Sequence, residues 1–175
     1  MLRHLIQKEK MKPLGAKDAL AMSHRTGLRT MEYDSVKGKS LKQLLPTATS
    51  GVLLLLMDKR KPQSKVGHWI LFFRSPECGV VLFEPYGLGL RSILKVSKNP
   101  NLLQKIMSES DVHVNKQEYQ KRDHAETCAR HCVTRWNAAH LKPKDYAALM
   151  HDPRLSPDDV VIMLTLSQDL TQFKA

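Results

Sequence analysis

The chain has 175 residues, 42% of them hydrophobic and 26% charged, with 28 Lys and Arg against 17 Asp and Glu for a formal charge of +11. That length suits one domain with a core of its own, and the composition is that of a globular protein. The longest apolar run, Val52 to Met57, is too short to span a bilayer, no secretory signal opens the sequence, and three cysteines argue against a disulfide-stapled secreted scaffold.

Residues 1–46 are basic and weakly patterned, and the chain carries no internal repeat or low-complexity tract. Ser40 to Leu45 reads as a short helix stopped by Pro46, followed by a loop over Thr47 to Gly51. Val52 to Met57 is a continuous apolar run, as expected of a strand buried on both faces. Asp58 to Lys65 reads as a polar, mobile loop. Two strands follow, His68 to Arg74 and Gly79 to Glu84, rich in aromatic and branched residues. Asn101 to Met107 reads as a short helix and Val112 to Val114 as a short strand. After residue 125 the pattern turns helical, with Ala129, Cys132, Val133, Trp136 and Ala139 at helical spacing and Pro143 marking the end. Ser156, Pro157, Asp158 and Asp159 supply a cap, a first-position proline and first-turn acids for a helix from Val160 onward. The order predicts an α+β domain whose central sheet is mostly antiparallel and packed with helices. Within a single domain over 1–175, residues 1–46 form a basic N-terminal region, 50–140 a core, and 141–175 C-terminal helices.

The hairpin brings a histidine towards a carboxylate. Ser75-Pro-Glu77 is a turn signal, and Gly79 helps the chain reverse. Symmetry about Pro76 sets Arg74 opposite Cys78, Phe72 opposite Val80, Ile70 opposite Leu82 and His68 opposite Glu84. Directly opposed residues share a face with Cβ atoms about 4.5–5.5 Å apart, and a slip by one residue would part the two side chains. A carboxylate there orients an imidazole and stabilises its charged form. A simple polar pair at the open end of a hairpin is the competing reading.

Cys128 stands where the helical pattern begins, and the positive end of a helix dipole favours a thiolate. His124 and Arg130 add positive charge nearby. Cys132, one turn on, suits a small buried hydrophobe. Burial in the core is also open to Cys128, but a histidine–carboxylate pair upstream supplies the base and orienting group that a nucleophile needs. The set His124, Cys128, His131 and Cys132 mixes zinc-ligand types, but it has no C-x2-C pair and crowds one helix. His124-Ala-Glu126 matches half of a deaminase signature whose other half is missing.

Gly67-His-Trp69, Leu82-Phe-Glu-Pro-Tyr-Gly87 and a glutamine ahead of Thr127-Cys-Ala-Arg-His-Cys132 together resemble the adenovirus-type maturation proteases. That family comprises adenain and its relatives in other large double-stranded DNA viruses and virophages, and is more distantly similar to the SUMO- and ubiquitin-like-protein proteases. The resemblance covers roughly residues 50–140. It implies a papain-like α+β fold and a cysteine endopeptidase in which Cys128 is the nucleophile, His68 the general base and acid, and Glu84 the orienting carboxylate. Gln120 matches the glutamine that helps form the oxyanion hole, with Gln117 as the alternative; an amide N–H aimed at developing charge needs no ionisation. Ala129 departs from the glycine that many relatives carry after the nucleophile. Trp69 covers the histidine in relatives, and core packing is its other reading.

The resemblance further implies cleavage of viral capsid and core precursors during virion maturation, in the virion and in the cytoplasmic virus factory or nucleus of the infected cell. It implies a monomer with no membrane partner and no required cofactor, with DNA or an activating peptide as accessories. Sequence-independent contact with DNA accords with the basic balance, which solubility alone also explains. A deSUMOylase or deubiquitinase acting on host conjugates uses the same residues, and a non-enzymatic basic nucleic-acid-binding protein is the competitor outside the proteases.

Overall fold

A computed structural model describes residues 2–57, 67–89, 95, 99, 101–121 and 126–172. The expected polar loop from Asp58 to Lys65 and the expected charge at His124 lie outside the described residues. In chain order the elements are α1 (Leu2–Lys10), α2 (Ala16–Ala21), β1 (Leu28–Glu32), a 3₁₀ turn (Tyr33–Val36), α3 (Leu41–Leu44), β2 (Gly51–Met57), β3 (Gly67–Ser75), β4 (Gly79–Phe83), α4 (Leu102–Ser108), β5 (Val112–Val114), α5 (Cys128–Asn137), α6 (Pro143–Leu149) and α7 (Pro157–Gln172).

The five strands form one sheet in sequence order. β2, β3 and β4 pair antiparallel, whereas β1 lies parallel to β2 and β5 parallel to β4. The sheet is therefore mixed, which corrects the mostly antiparallel expectation. Parallel neighbours need a crossover, and α3 and α4 lie within those two connections. The domain is α+β, with helices on both faces of the sheet.

Alternation along the strands divides the core. Leu53, Trp69, Leu71, Phe73, Val81 and Phe83 pack with Cys132, Val133 and Trp136 of α5. Val52, Leu54, Leu56, Ile70, Phe72 and Leu82 pack on the other side with Leu44, Leu103 and Ile106. Period-two packing against helices on both faces makes the β2 run apolar without a break. Each fully buried side chain of this size contributes about 1.5–3 kcal/mol. Gly51 is required where β2 begins, because a Cβ there would meet the Trp136 ring at 2.6 Å.

Ser40 caps α3 by accepting from the Gln43 N–H at 3.3 Å, and the helix stops just before Pro46 as expected. The final helix starts at Pro157, the first-position proline expected after the Ser156 cap, with Ser156 and Asp159 bonded to one another across the cap. Pro143 opens α6 rather than only closing the helix before it, since a proline at the first helical position forfeits no intrahelical bond. The weakly patterned N-terminal region holds three helices, a strand and a 3₁₀ turn. It is tied into the rest of the fold: Ile6 of α1 is buried, Glu9 pairs with Arg130 of α5, and Lys10 meets Asp159 of α7 at 2.8 Å. No helix among the described residues is long and apolar enough to cross a membrane.

Candidate active site

The β3–β4 turn fixes how His68 meets Glu84. The observed pairs are Arg74 with Val80, Phe72 with Leu82 and Leu71 with Phe83. Symmetry therefore runs through Glu77, not Pro76, and the expected pairs Arg74–Cys78, Phe72–Val80, Ile70–Leu82 and His68–Glu84 are each shifted by two residues. The cause is a three-residue turn, Pro76-Glu77-Cys78, closed by Gly79 at φ +69°. A shift of two preserves the face. His68 and Glu84 consequently remain on one side as diagonal neighbours at the same end of the sheet, and the His68 Nε2 lies 2.7 Å from the Glu84 Oε1.

Each residue of the Phe83-Glu-Pro-Tyr-Gly87 motif has a separate task. Phe83 packs in the core. The Glu84 carboxylate is 1% exposed and, besides His68, accepts the Tyr86 N–H at 2.8 Å and the Leu88 N–H at 3.1 Å. These backbone donors satisfy a charge that would be costly to bury alone. The carbonyl of Pro85 accepts from the N–H groups of Tyr119 and Gln120 at 2.8 and 2.9 Å. Tyr86 stacks on the imidazole of His68, with ring centroids 4.4 Å apart and planes at 16°. Gly87 sits at φ +63°, where a Cβ would meet the Gln117 backbone at 2.6 Å.

Asn115, directly after β5, clamps the Glu84 backbone from both sides. Its Oδ1 accepts the Glu84 N–H at 2.7 Å and its Nδ2 donates to the Glu84 carbonyl at 2.8 Å. Neither Asn115 nor the stacking of Tyr86 was expected from sequence. The corrected register could have exposed Tyr86, since it places that residue opposite His68.

Cys128 is buried at the first position of α5, and its side chain stands near enough to His68 to raise the proton affinity of the ring. Burial works against a charged His68, but the neighbouring Cys128 side chain and the bond to Glu84 outweigh it and raise its pKa from 6.5 to about 9. Thiol, imidazole and carboxylate thus lie together, an arrangement in which a proton can pass between sulfur and ring while the carboxylate bonded to Nε2 holds the ring's orientation.

Gln120 is wholly buried, whereas Gln117 is exposed and its Oε1 accepts from the Tyr119 hydroxyl at 3.4 Å. Cys132 is wholly buried and donates to the Trp69 carbonyl at 3.5 Å, and burial pushes its thiol pKa well up. Trp69 packs in the core and donates its indole N–H to the Leu14 carbonyl at 3.2 Å, while the ring stacked on His68 is Tyr86. Ala129 is buried in the same core.

A cavity of about 280 Å³ opens beside Cys128. Pro13 to Ala16 of the N-terminal region form one wall, and Leu55, Gly67, Trp69 and Glu126 form the rest. Among the described residues no group of three or more His, Cys, Asp or Glu side chains is placed to hold a metal ion, and His124 of the zinc and deaminase readings lies outside them. No family model matches the chain, and no curated protein matches it.

Proposed function

We propose that this chain is a cysteine endopeptidase of the papain-like, adenain-like type, which cleaves viral capsid and core precursor proteins during virion maturation. The observation that carries the reading is the His68–Glu84 pair at 2.7 Å with the Cys128 side chain close by, at a helix start and beside a cavity.

In the proposed reaction the Cys128 sulfur attacks the scissile carbonyl with its proton already held by His68, and the charged ring then delivers that proton to the departing amine. A water activated by the same ring releases the acyl group from sulfur. Glu84 keeps the ring oriented and stabilises its cationic form. The Cys128 backbone N–H and the Gln120 side-chain amide are the proposed donors to the oxyanion. The +11 charge supports sequence-independent contact with DNA, which would bring enzyme and DNA-bound precursor together. Such binding should weaken linearly in log affinity against log salt, and a titration without binding at low salt removes DNA from the reading.

The test is incubation of wild type and Cys128→Ala with capsid precursors and, in parallel, with ubiquitin and SUMO conjugates, followed by sequencing of new N-termini. Cleavage of precursors by wild type alone supports the proposal. Cleavage confined to the conjugates transfers the chain to the deconjugating proteases. Cleavage by a folded Cys128→Ala protein refutes the nucleophile.

A further inference from the structure

Asp158, in the first turn of α7, is 3% exposed, and its carboxylate holds three groups at once. Its Oδ2 accepts the Lys121 backbone N–H at 3.3 Å. Its Oδ1 accepts from the Thr127 hydroxyl and from the Nε2 of His131, the latter at 3.0 Å. Lys121 follows Gln120, and Thr127 precedes Cys128. One carboxylate therefore brackets the chain between the proposed oxyanion donor and the proposed nucleophile.

The bond from Thr127 has a second effect. A threonine at a helix N-cap usually accepts a backbone N–H from the first turn. Here the hydroxyl donates to Asp158 instead, and Thr127 makes no side-chain cap bond to α5. The N–H groups of the first turn are thereby not consumed by the cap. His131, three residues beyond Cys128, braces the same carboxylate from within the helix. Its burial lowers its proton affinity, so the neutral ring serves as the donor. Burial also pushes Asp158 up, but the bonds from His131, Thr127 and Lys121 outweigh it and keep the carboxylate ionised at neutral pH.

We propose that Asp158 is a positioning residue for this site: by gripping Lys121 and Thr127 it sets the spacing between the Gln120 amide and the Cys128 backbone N–H, and so the geometry that receives the oxyanion. The proposal rests on the protease reading above. A misplacement of about 1 Å in such a constellation costs about 10²-fold in rate.

Asp158→Asn keeps the size of the side chain but replaces an acceptor oxygen with a donor. Expected is a fall in kcat of about 10²-fold on a peptide substrate with KM changed less than about twofold, the signature of an interaction made in the transition state. In a Gln120→Ala background the same change should cost little more, because without the Gln120 amide no spacing between the two donors is left to set. Thr127→Val should lower kcat in the same direction, and Thr127→Ser should restore it. Alkylation of Cys128 by iodoacetamide, which builds no oxyanion, should keep its wild-type rate in Asp158→Asn and Thr127→Val. Wild-type kcat in both variants overturns the proposal, as does full additivity with Gln120→Ala. If Asp158→Asn does not fold, the Thr127→Val and Thr127→Ser pair and the cycle of Thr127→Val with Gln120→Ala decide. An inactive wild type overturns the protease reading and this proposal with it, whereas an active wild type with indifferent variants overturns the positioning role alone.

Discussion

His68 and Glu84 meet across the open end of a hairpin as diagonal neighbours, Nε2 to Oε1 at 2.7 Å, with the carboxylate buried and saturated by backbone donors. That arrangement lets Glu84 orient the ring while the same carboxylate holds the turn at Tyr86 and Leu88. Glu84→Gln should leave a folded protein whose kcat falls by about 10²–10⁴-fold, because an amide no longer enforces the tautomer or stabilises the imidazolium. Steady-state kinetics on a peptide substrate check this, and a loss under tenfold removes Glu84 from the mechanism.

The pH dependence follows from His68. Its pKa is about 9 in the fold against 6.5 for the free side chain. A raised value means that the charged ring stabilises the fold, a contribution complete below about pH 6.5 and lost as pH rises through about 9. The rate should fall over the same upper limb as the ring loses the proton owed to the leaving amine. Titration of the His68 ring by NMR and melting midpoints across that window report the two effects. Glu84→Gln should move the ring's midpoint down.

Gln120→Ala should lower turnover about 10²–10³-fold with little change in substrate binding. Gln117→Ala should be close to neutral, in keeping with its exposure. Parallel kcat and KM measurements separate the two, and the reverse ranking would hand the role to Gln117.

Tyr86 contributes a ring rather than a hydroxyl to His68. Tyr86→Phe should therefore be almost silent. Tyr86→Ala should lose about 0.5–1.5 kcal/mol of ring contact and about two- to tenfold in rate. Equal losses in both variants would show that the hydroxyl matters instead.

Gly87→Ala should destabilise the fold by about 1–3 kcal/mol, through the left-handed backbone and the Cβ forced against Gln117. Denaturant midpoints measure it. An unchanged midpoint would mean that the Glu84 turn can relax away from the Gln117 segment.

What was legible in the sequence was local. The β2 run, the two hairpin strands, the short helix stopped before Pro46 and the helix starting at Cys128 each follow from a short stretch of residues. The facing of His68 and Glu84 survived a register displaced by two, because strand side chains repeat with period two. The displacement itself depends on how Gly79 closes a three-residue turn, which composition does not specify. Helix α1 stayed hidden because only Ile6 of its nine residues is buried, too little to mark an apolar stripe. β1 stayed hidden because its residues are half-exposed rather than strictly alternating. Asp158 looked like a dipole partner for its own helix, and its bonds to Lys121, Thr127 and His131 cross 27 to 37 positions of sequence. No local pattern records such a distance.

The wall of the cavity formed by Pro13 to Ala16 follows directly on α1, and α1 is anchored by Lys10 to Asp159 and Ser156, 149 and 146 residues away in the sequence. Contacts so distant are among the slowest to form, since a long loop must close before they reward it. Sheet hairpins need only short loops to close, whereas the cleft beside Cys128 gains its second side through long-range docking of the N-terminal segment, Leu14 onto the Trp69 indole and Lys10 onto Asp159. Under the protease proposed above this timing is protective: while a chain is still unfolded, and its own backbone is the nearest digestible polymer, the groove that would grip it is not yet built.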